Sequence, residues 1–165
     1  MHQDELGWWD IGQVCLHGHV VNEQVIAERD HCQMFCGTCG KATIAACRRC
    51  GAPIRGVYHV PGSYLIESMP AVAYCLGCGK PYPWTEKRVQ AAKELADEIA
   101  HLKPQERELL KRSIDDLLTD TPRTHLAIAR FKRLIAKAGP EAEAALREIL
   151  VQVVSEAVRK AIWGS

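Results

Sequence analysis

Hydrophobic residues follow two different spacings along the chain, and the change falls near residue 85. In the first half they come in short runs that end at glycines or polar residues, as in small β-strands joined by turns. In the second half they recur every three or four residues, which is the period of an amphipathic helix. The sequence therefore predicts an α+β protein, with a small antiparallel β domain at residues 1–84 and a helical bundle or hairpin at residues 85–165.

The second half is predicted to contain about four helices. The first is capped by Thr85 and runs to about residue 102, and the second begins at Pro104. Thr121 and Pro122 supply the cap and the first turn of the third helix, which stops at the next glycine.

The fourth helix is predicted as one long segment over residues 140–162, with a wide apolar stripe. Such a stripe usually packs inside its own bundle. The alternative is an interface, either for a protein partner or for self-association through the C-terminal helices.

Short apolar runs in the first half predict strands at residues 20–27, 57–60, 64–66 and 71–74. Trp8 and Trp9 stand side by side near the start, so in a strand they face opposite ways. One ring would then be buried over the metal core, and the other would cover an edge of the sheet. The alternative is that they contact a partner.

Composition and charge narrow the class of protein. Hydrophobic residues make up 47 % and charged residues 25 % of the 165 residues, as in ordinary folded domains. The net charge of +1 gives no overall attraction to nucleic acid or membrane. No apolar run is long enough for a transmembrane helix, and the acidic start lacks the apolar core of a signal peptide. We therefore expect a cytoplasmic protein.

All eight cysteines lie between Cys15 and Cys78. Six of them form three C-x-x-C pairs, and each pair is followed by a glycine that permits the tight turn of a zinc knuckle. Reduced thiols at this spacing favour metal ligation over disulfides. Three pairs without a βαβ pattern also argue against a thioredoxin-like redox motif. The pattern predicts tandem zinc ribbons that bind two Zn²⁺ ions.

The simplest assignment of ligands follows the order of the chain. The first site takes Cys15, His19, Cys36 and Cys39, and the second takes Cys47, Cys50, Cys75 and Cys78. His19 is preferred to His17 because the preceding glycine lets the turn present its ring, and Cys32 is the competing ligand. A cross-braced pairing, with Cys15 and His19 joined to Cys47 and Cys50, is the alternative.

These motifs resemble a bacterial family defined only as a domain of unknown function, and the likeness covers most of the chain. The motifs that carry it are Cys15-x-x-Gly18-His19, Cys36-x-x-Cys39-Gly40, Cys47-x-x-Cys50, Gly56-x-Tyr58-His59-Val60-Pro61-Gly62 and Cys75-x-x-Cys78-Gly79-Lys80-Pro81-x-Pro83-Trp84-Thr85. The resemblance implies tandem zinc ribbons followed by a helical tail. It also favours His19 as a ligand, and it implies no activity.

Four protein ligands leave no open position for water, so the predicted sites are structural and no catalytic residue is assigned. His59 is expected to be a hydrogen-bonded structural histidine. The alternatives are a polar group at a binding surface, or part of an enzyme site with a ligand-poor zinc. We expect a non-enzymatic zinc-binding scaffold or adaptor that acts through protein–protein interaction.

The alternative function is nucleic-acid binding through the basic helix at residues 123–137. The candidate phosphate contacts are Arg48, Arg49, Arg123, Arg130, Arg133 and Lys137. Lys132 adds to the same helix. A solvated face, or one paired with acids of the other helices, would explain these cations without any ligand.

Overall fold

The computed structural model describes residues 6–63, 68 and 70–164. The chain divides into two compact units, Met1–Thr85 and Glu86–Ser165. Small antiparallel sheets occupy the first unit and helices the second. The predicted α+β class is thus confirmed, while the strand predicted at residues 64–66 lies outside the described residues.

Two small sheets form in the first unit, and every pairing in them is antiparallel. Strand β1 (Trp8–Ile11) pairs with β5 (Arg55–His59), and we call this pair the ribbon. In the other sheet, β2 (Gln13–Cys15) lies between β3 (Val20–Asn22) and β4 (Thr43–Ile44). A short 3-10 helix, Arg29–His31, follows β3.

Two of the predicted strands are wrong, the first in its extent and the second altogether. The strand at residues 20–27 ends at Asn22, whose side-chain oxygen accepts the Gln24 N–H at 2.8 Å and turns the chain. Residues 71–74 form no strand, only one bridge between Tyr74 and Pro81. Backbone hydrogen bonds flank this bridge, from the Cys75 N–H to the Lys80 carbonyl and from the Tyr82 N–H to the Ala73 carbonyl, but among the described residues the pairing extends no further.

The predicted strand at residues 57–60 lies largely within β5. Its partner is β1, and not another segment between the knuckles of the second predicted zinc site. The two knuckles of the second site are therefore not joined by a sheet of their own among the described residues. Sequence pattern could not give this pairing because the partners are about fifty positions apart.

The second unit is built from helices that begin mostly at prolines. These are α1 (Pro83–Glu98), α2 (Pro104–Leu117), α3 (Pro122–Ala138), α4 (Pro140–Leu150) and α5 (Glu156–Trp163). The starts of α2 and α3 agree with the prediction, and Thr121 caps α3. Thr85 is not a cap, because its hydroxyl donates to the Ala73 carbonyl at 2.7 Å and α1 has already begun at Pro83.

The predicted long fourth helix is two helices. After Leu150 the chain forms a turn through β-branched valines, which are stiff and lower helix propensity. Ser155 then caps α5 by accepting the Val158 N–H at 3.3 Å. The described second unit consequently contains five helices, one more than predicted.

Each unit has its own apolar core. In the second unit, Leu110, Ile114 and Phe131 are fully buried with residues of α4 and α5. The apolar stripe predicted at residues 140–162 packs into this core at Leu146 and Leu150. Among the residues that the structure describes, no helix combines the length and apolar character needed to cross a membrane.

The core of the first unit is much smaller and includes two of the cysteines predicted to bind metal. Its buried members are Val14, Cys47, Ile54, Cys75, Tyr82 and Trp84. Trp84 stacks on Tyr82 with ring centroids 4.6 Å apart, and its indole N–H donates to the Val72 carbonyl at 2.9 Å. So few apolar side chains bury little surface, and this unit needs stabilisation from elsewhere.

Candidate metal centres

Three C-x-x-C turns share one backbone design. In each, the N–H of the glycine after the second cysteine donates to the first cysteine's carbonyl at 2.8 Å. The first cysteine's N–H donates to a carbonyl five residues ahead, also at 2.8 Å. The glycines have φ of 69° at Gly40, 76° at Gly51 and 69° at Gly79, a region that disfavours other residues.

A fourth turn, around Cys15, completes the first set of ligands. The Cys15 N–H donates to the His19 carbonyl at 2.9 Å, and Gly18 has a φ of 91°. This turn brings the His19 side chain back beside the Cys15 sulfur. The glycine is also needed for space, because a Cβ at Gly18 would lie 3.0 Å from the Trp84 Cβ.

The first cluster contains Cys15, His19, Cys36 and Cys39, whose ligand atoms all lie within 4.8 Å of one another. His19 Nδ1 is 3.5 Å from the Cys15 sulfur and 3.7 Å from the Cys36 sulfur. The Cys15 and Cys39 sulfurs are 3.8 Å apart. Sulfurs about 2.3 Å from a tetrahedral zinc lie about 3.8 Å apart, so the donor set fits such an ion.

The second cluster contains Cys47, Cys50, Cys75 and Cys78, again within 4.8 Å of one another. The Cys47 and Cys78 sulfurs are 3.9 Å apart, and those of Cys50 and Cys75 are 3.6 Å apart. Sulfur separations in this range again match tetrahedral thiolate coordination.

The thiols of each cluster lie close enough to shift one another's pKa values. In Cys36 burial acts to raise the pKa, but N–H groups of Thr38 and Cys39 outweigh it and lower the pKa to about 6. In Cys75 the Cys78 N–H is the main cause of a pKa lowered to about 6. In Cys50 the Ala52 N–H acts to lower the pKa, but neighbouring thiols, Cys75 first, raise it to about 12. A bound cation would relieve this repulsion between thiolates.

The structure thus groups the eight candidate ligands in chain order. The cross-braced arrangement does not occur, since Cys15 and His19 lie with Cys36 and Cys39. Cys32 belongs to neither cluster; it is exposed, and its sulfur accepts the Asn22 side-chain N–H at 3.5 Å. Both clusters border one small core, where Gly18 of the first and Cys47 of the second approach Trp84.

The basic helix, α3, is partly neutralised by its own unit. Arg123 lies 3.8 Å from Asp116, and Lys137 pairs with Glu106. Lys132 donates to the Ala161 carbonyl at 3.0 Å. These contacts reduce the phosphate-binding surface expected there to Arg130 and Arg133, which form no ion pair within the described ranges.

Sequence reasoning missed a buried carboxylate beneath the ribbon. The Asp10 side chain is 0 % exposed and its Oδ2 lies 2.9 Å from His59 Nε2. His59 also stacks on Trp8, with ring centroids 4.1 Å apart. His59 is therefore hydrogen-bonded, as the structural interpretation expects. The only signal for its partner was an aspartate between apolar strand residues.

The fold and the two clusters define a protein with two candidate metal-binding sites and a helical C-terminal unit. The chain belongs to the family described as "Uncharacterized protein conserved in bacteria (DUF2321)", whose profile matches residues 8–162. This confirms the family resemblance found in the motifs. No curated protein and no solved structure gives a significant match.

Proposed function

We propose that this protein is a non-enzymatic zinc-binding scaffold of the cytoplasm, which holds two Zn²⁺ ions and acts through protein–protein interaction. The observation that carries the proposal is that each cluster offers four ligand atoms within 4.8 Å of one another. Four donors fill the tetrahedral shell of zinc, so neither ion keeps a position for water or substrate. This supports a structural role.

The energetic argument agrees with a structural role. The first unit buries only a small core, in which two cysteines replace ordinary apolar side chains. A structural zinc contributes on the order of 10 kcal/mol of apparent binding free energy. Two ions would then supply what the core lacks, and surface side chains would remain to contact partners.

Metal analysis of ligand variants tests the site. We expect about two zinc ions per chain in the purified protein and in Cys32→Ser, since Cys32 lies in neither cluster. Cys39→Ser should lose zinc from the first site alone. Fewer than two ions in the wild type, or a zinc loss in Cys32→Ser equal to that in Cys39→Ser, would contradict the assignment.

Affinity purification of the metal-loaded full chain from its host tests the scaffold function. A protein partner that is recovered reproducibly, and is lost when the metal is removed, is the expected result. Retention on duplex DNA at low salt, without any protein partner, would instead favour the nucleic-acid alternative.

Self-association through the C-terminal helices stays a prediction, and sedimentation of the purified chain tests it.

A turnover that depends on an exchangeable water at one zinc would make the protein an enzyme and overturn the scaffold proposal.

A further inference from the structure

One face of the ribbon carries a row of three stacked side chains. Trp9 and Tyr58 are direct partners in the strand pairing, with ring centroids 4.9 Å apart. The Arg55 guanidinium carbon lies 4.4 Å from the Trp9 ring centroid. Trp9 is 44 % and Tyr58 43 % exposed, and Arg55 is exposed as well. The two rings therefore present aromatic surface to solvent that a partner could bury.

The backbone is shaped to make this row. A β-bulge lies between the pairs Trp9–Tyr58 and Ile11–Arg55, so three steps on β5 match two on β1. The extra step carries Arg55 to the face of Trp9. The bulge needs Gly56, because a Cβ there would lie 2.2 Å from the Glu23 carbonyl oxygen.

A second glycine accommodates the tyrosine. A Cβ at Gly7 would lie 2.5 Å from the Tyr58 ring and hydroxyl, so the tyrosine can occupy its place only over a glycine. Two glycines and a bulge thus support three exposed side chains.

The positive charge on this row has no ion-pair partner among the described residues. Arg55 forms no ion pair with any described residue, and its stacking on Trp9 leaves the N–H edges available. The nearby carboxylate of Asp10 already accepts from three backbone N–H groups and lies against His59. A stacked guanidinium loses little freedom on binding a carboxylate, which it can hold with two parallel hydrogen bonds.

The geometry points to the row Arg55–Trp9–Tyr58 as a docking surface for an acidic peptide segment of a partner protein. A carboxylate of the segment binds the Arg55 guanidinium, and an adjacent apolar or aromatic side chain packs on Trp9 and Tyr58. This inference rests on the proposed scaffold function and names the surface and the chemistry of its partner.

The surroundings favour a peptide over a nucleic acid. Nucleic-acid binding depends on several cations that follow a row of phosphates. Residues 1–84 carry six Lys and Arg against seven Asp and Glu, so the first half has no basic field. One cation beside two aromatic rings matches one carboxylate beside one apolar group.

Equilibrium binding of the metal-loaded full chain to three defined probes tests the inference. The probes are a random glutamate–tyrosine copolymer, polyglutamate and single-stranded oligothymidylate. We expect the copolymer to bind most tightly. Arg55→Glu and Trp9→Ala should each weaken it about tenfold or more, since a charge-assisted contact and a stacked ring are lost.

Matched controls separate this surface from general effects of charge and apolarity. Arg29→Glu removes another exposed cation of the same unit, and Phe35→Ala removes another exposed ring. Both should bind like the wild type. Zinc content and the midpoint of urea denaturation confirm that each variant is folded.

Three results would overturn the inference: no binding of the copolymer, equal weakening by the control variants, or preference for oligothymidylate that Arg55→Glu abolishes. Host affinity purification distinguishes the two proposals. If Arg55→Glu recovers the wild-type partners, the ribbon surface is wrong and the scaffold stands. If the wild type recovers none, the scaffold function itself fails.

Discussion

Replacing Asp10 by asparagine should destabilise the first unit strongly, although the change is nearly isosteric. The carboxylate Oδ1 accepts the Ile11 and Ile26 N–H groups at 2.6 and 2.8 Å. Its Oδ2 accepts the Ala27 N–H at 3.2 Å and lies 2.9 Å from His59 Nε2. The group is fully buried and ties β1 to the chain after β3 and to β5.

The size of this destabilisation depends on which hydrogen-bond donors the asparagine amide can still satisfy. If the asparagine oxygen takes the place of Oδ1, it keeps the bonds from Ile11 and Ile26, and the NH₂ group then faces Ala27 and His59. A neutral histidine can present a ring nitrogen as acceptor, but the Ala27 N–H has no such choice. One buried N–H left unsatisfied costs about 1–3 kcal/mol, and weaker neutral bonds add about 1 kcal/mol. We expect a loss of about 2–4 kcal/mol in the free energy of unfolding.

Urea denaturation of the metal-loaded chain at pH 7 measures this loss. The near-ultraviolet signal reports the first unit, which contains three of the four tryptophans. Asp30→Asn is the matched control, because Asp30 is exposed on the 3-10 helix. A change below about 0.5 kcal/mol in Asp10→Asn, as for a typical surface substitution, would refute the reasoning.

The same carboxylate should make the free energy of unfolding of the first unit depend on pH. Burial acts to raise the pKa of Asp10, but hydrogen bonds from Ile26, His59, Ile11 and Ala27 outweigh it and hold the pKa below its usual value. Its contribution is therefore complete above about pH 4 and is lost as the pH falls through the lowered pKa. Acid also releases metal from thiolates, so the quantity to compare at each pH is the difference between wild type and Asp10→Asn.

Two further predictions concern the metal sites. A strong chelator at neutral pH should remove most of the near-ultraviolet signal while the far-ultraviolet helical signal largely persists, because the cores of the two units are separate; an unchanged near-ultraviolet spectrum would show that the first unit does not depend on metal. Gly18→Ala should cost about 1–2 kcal/mol for the positive φ and more for contact with Trp84. Gly62→Ala shares the positive φ but meets nothing within 4 Å, so it should cost less; equal losses in thermal denaturation would remove the packing argument.

The sequence predicted the parts of this protein that depend on neighbouring residues. Each C-x-x-C turn is local, and its cysteines and glycine are fixed by their spacing, so its geometry could be anticipated. The same holds for the start of α3, where Thr121 and Pro122 act within one turn. Helix α4 ended early for a local reason as well, namely the valines after Leu150 and the capping serine, Ser155.

What the sequence could not predict depends on residues far apart in the chain. The pairing of β1 with β5 joins segments separated by about fifty residues, and the partner of Asp10 is His59. No periodicity records such contacts, since either strand could have paired elsewhere. Trp84 lies beside both clusters only because Gly18 and the second pair of knuckles fold onto it.

Each strand of the ribbon lies close in the chain to one of the two candidate metal sites. Only Gly12 separates β1 from β2, which ends at the ligand Cys15. Strand β5 begins shortly after the ligand Cys50, and between them the Ile54 carbonyl accepts the Gly12 N–H at 2.8 Å. An isolated two-stranded ribbon is at best marginally stable in water. With an ion bound at each candidate site, each strand of the ribbon would be anchored at a different site. Removal of either ion should then release one strand and weaken the proposed peptide binding.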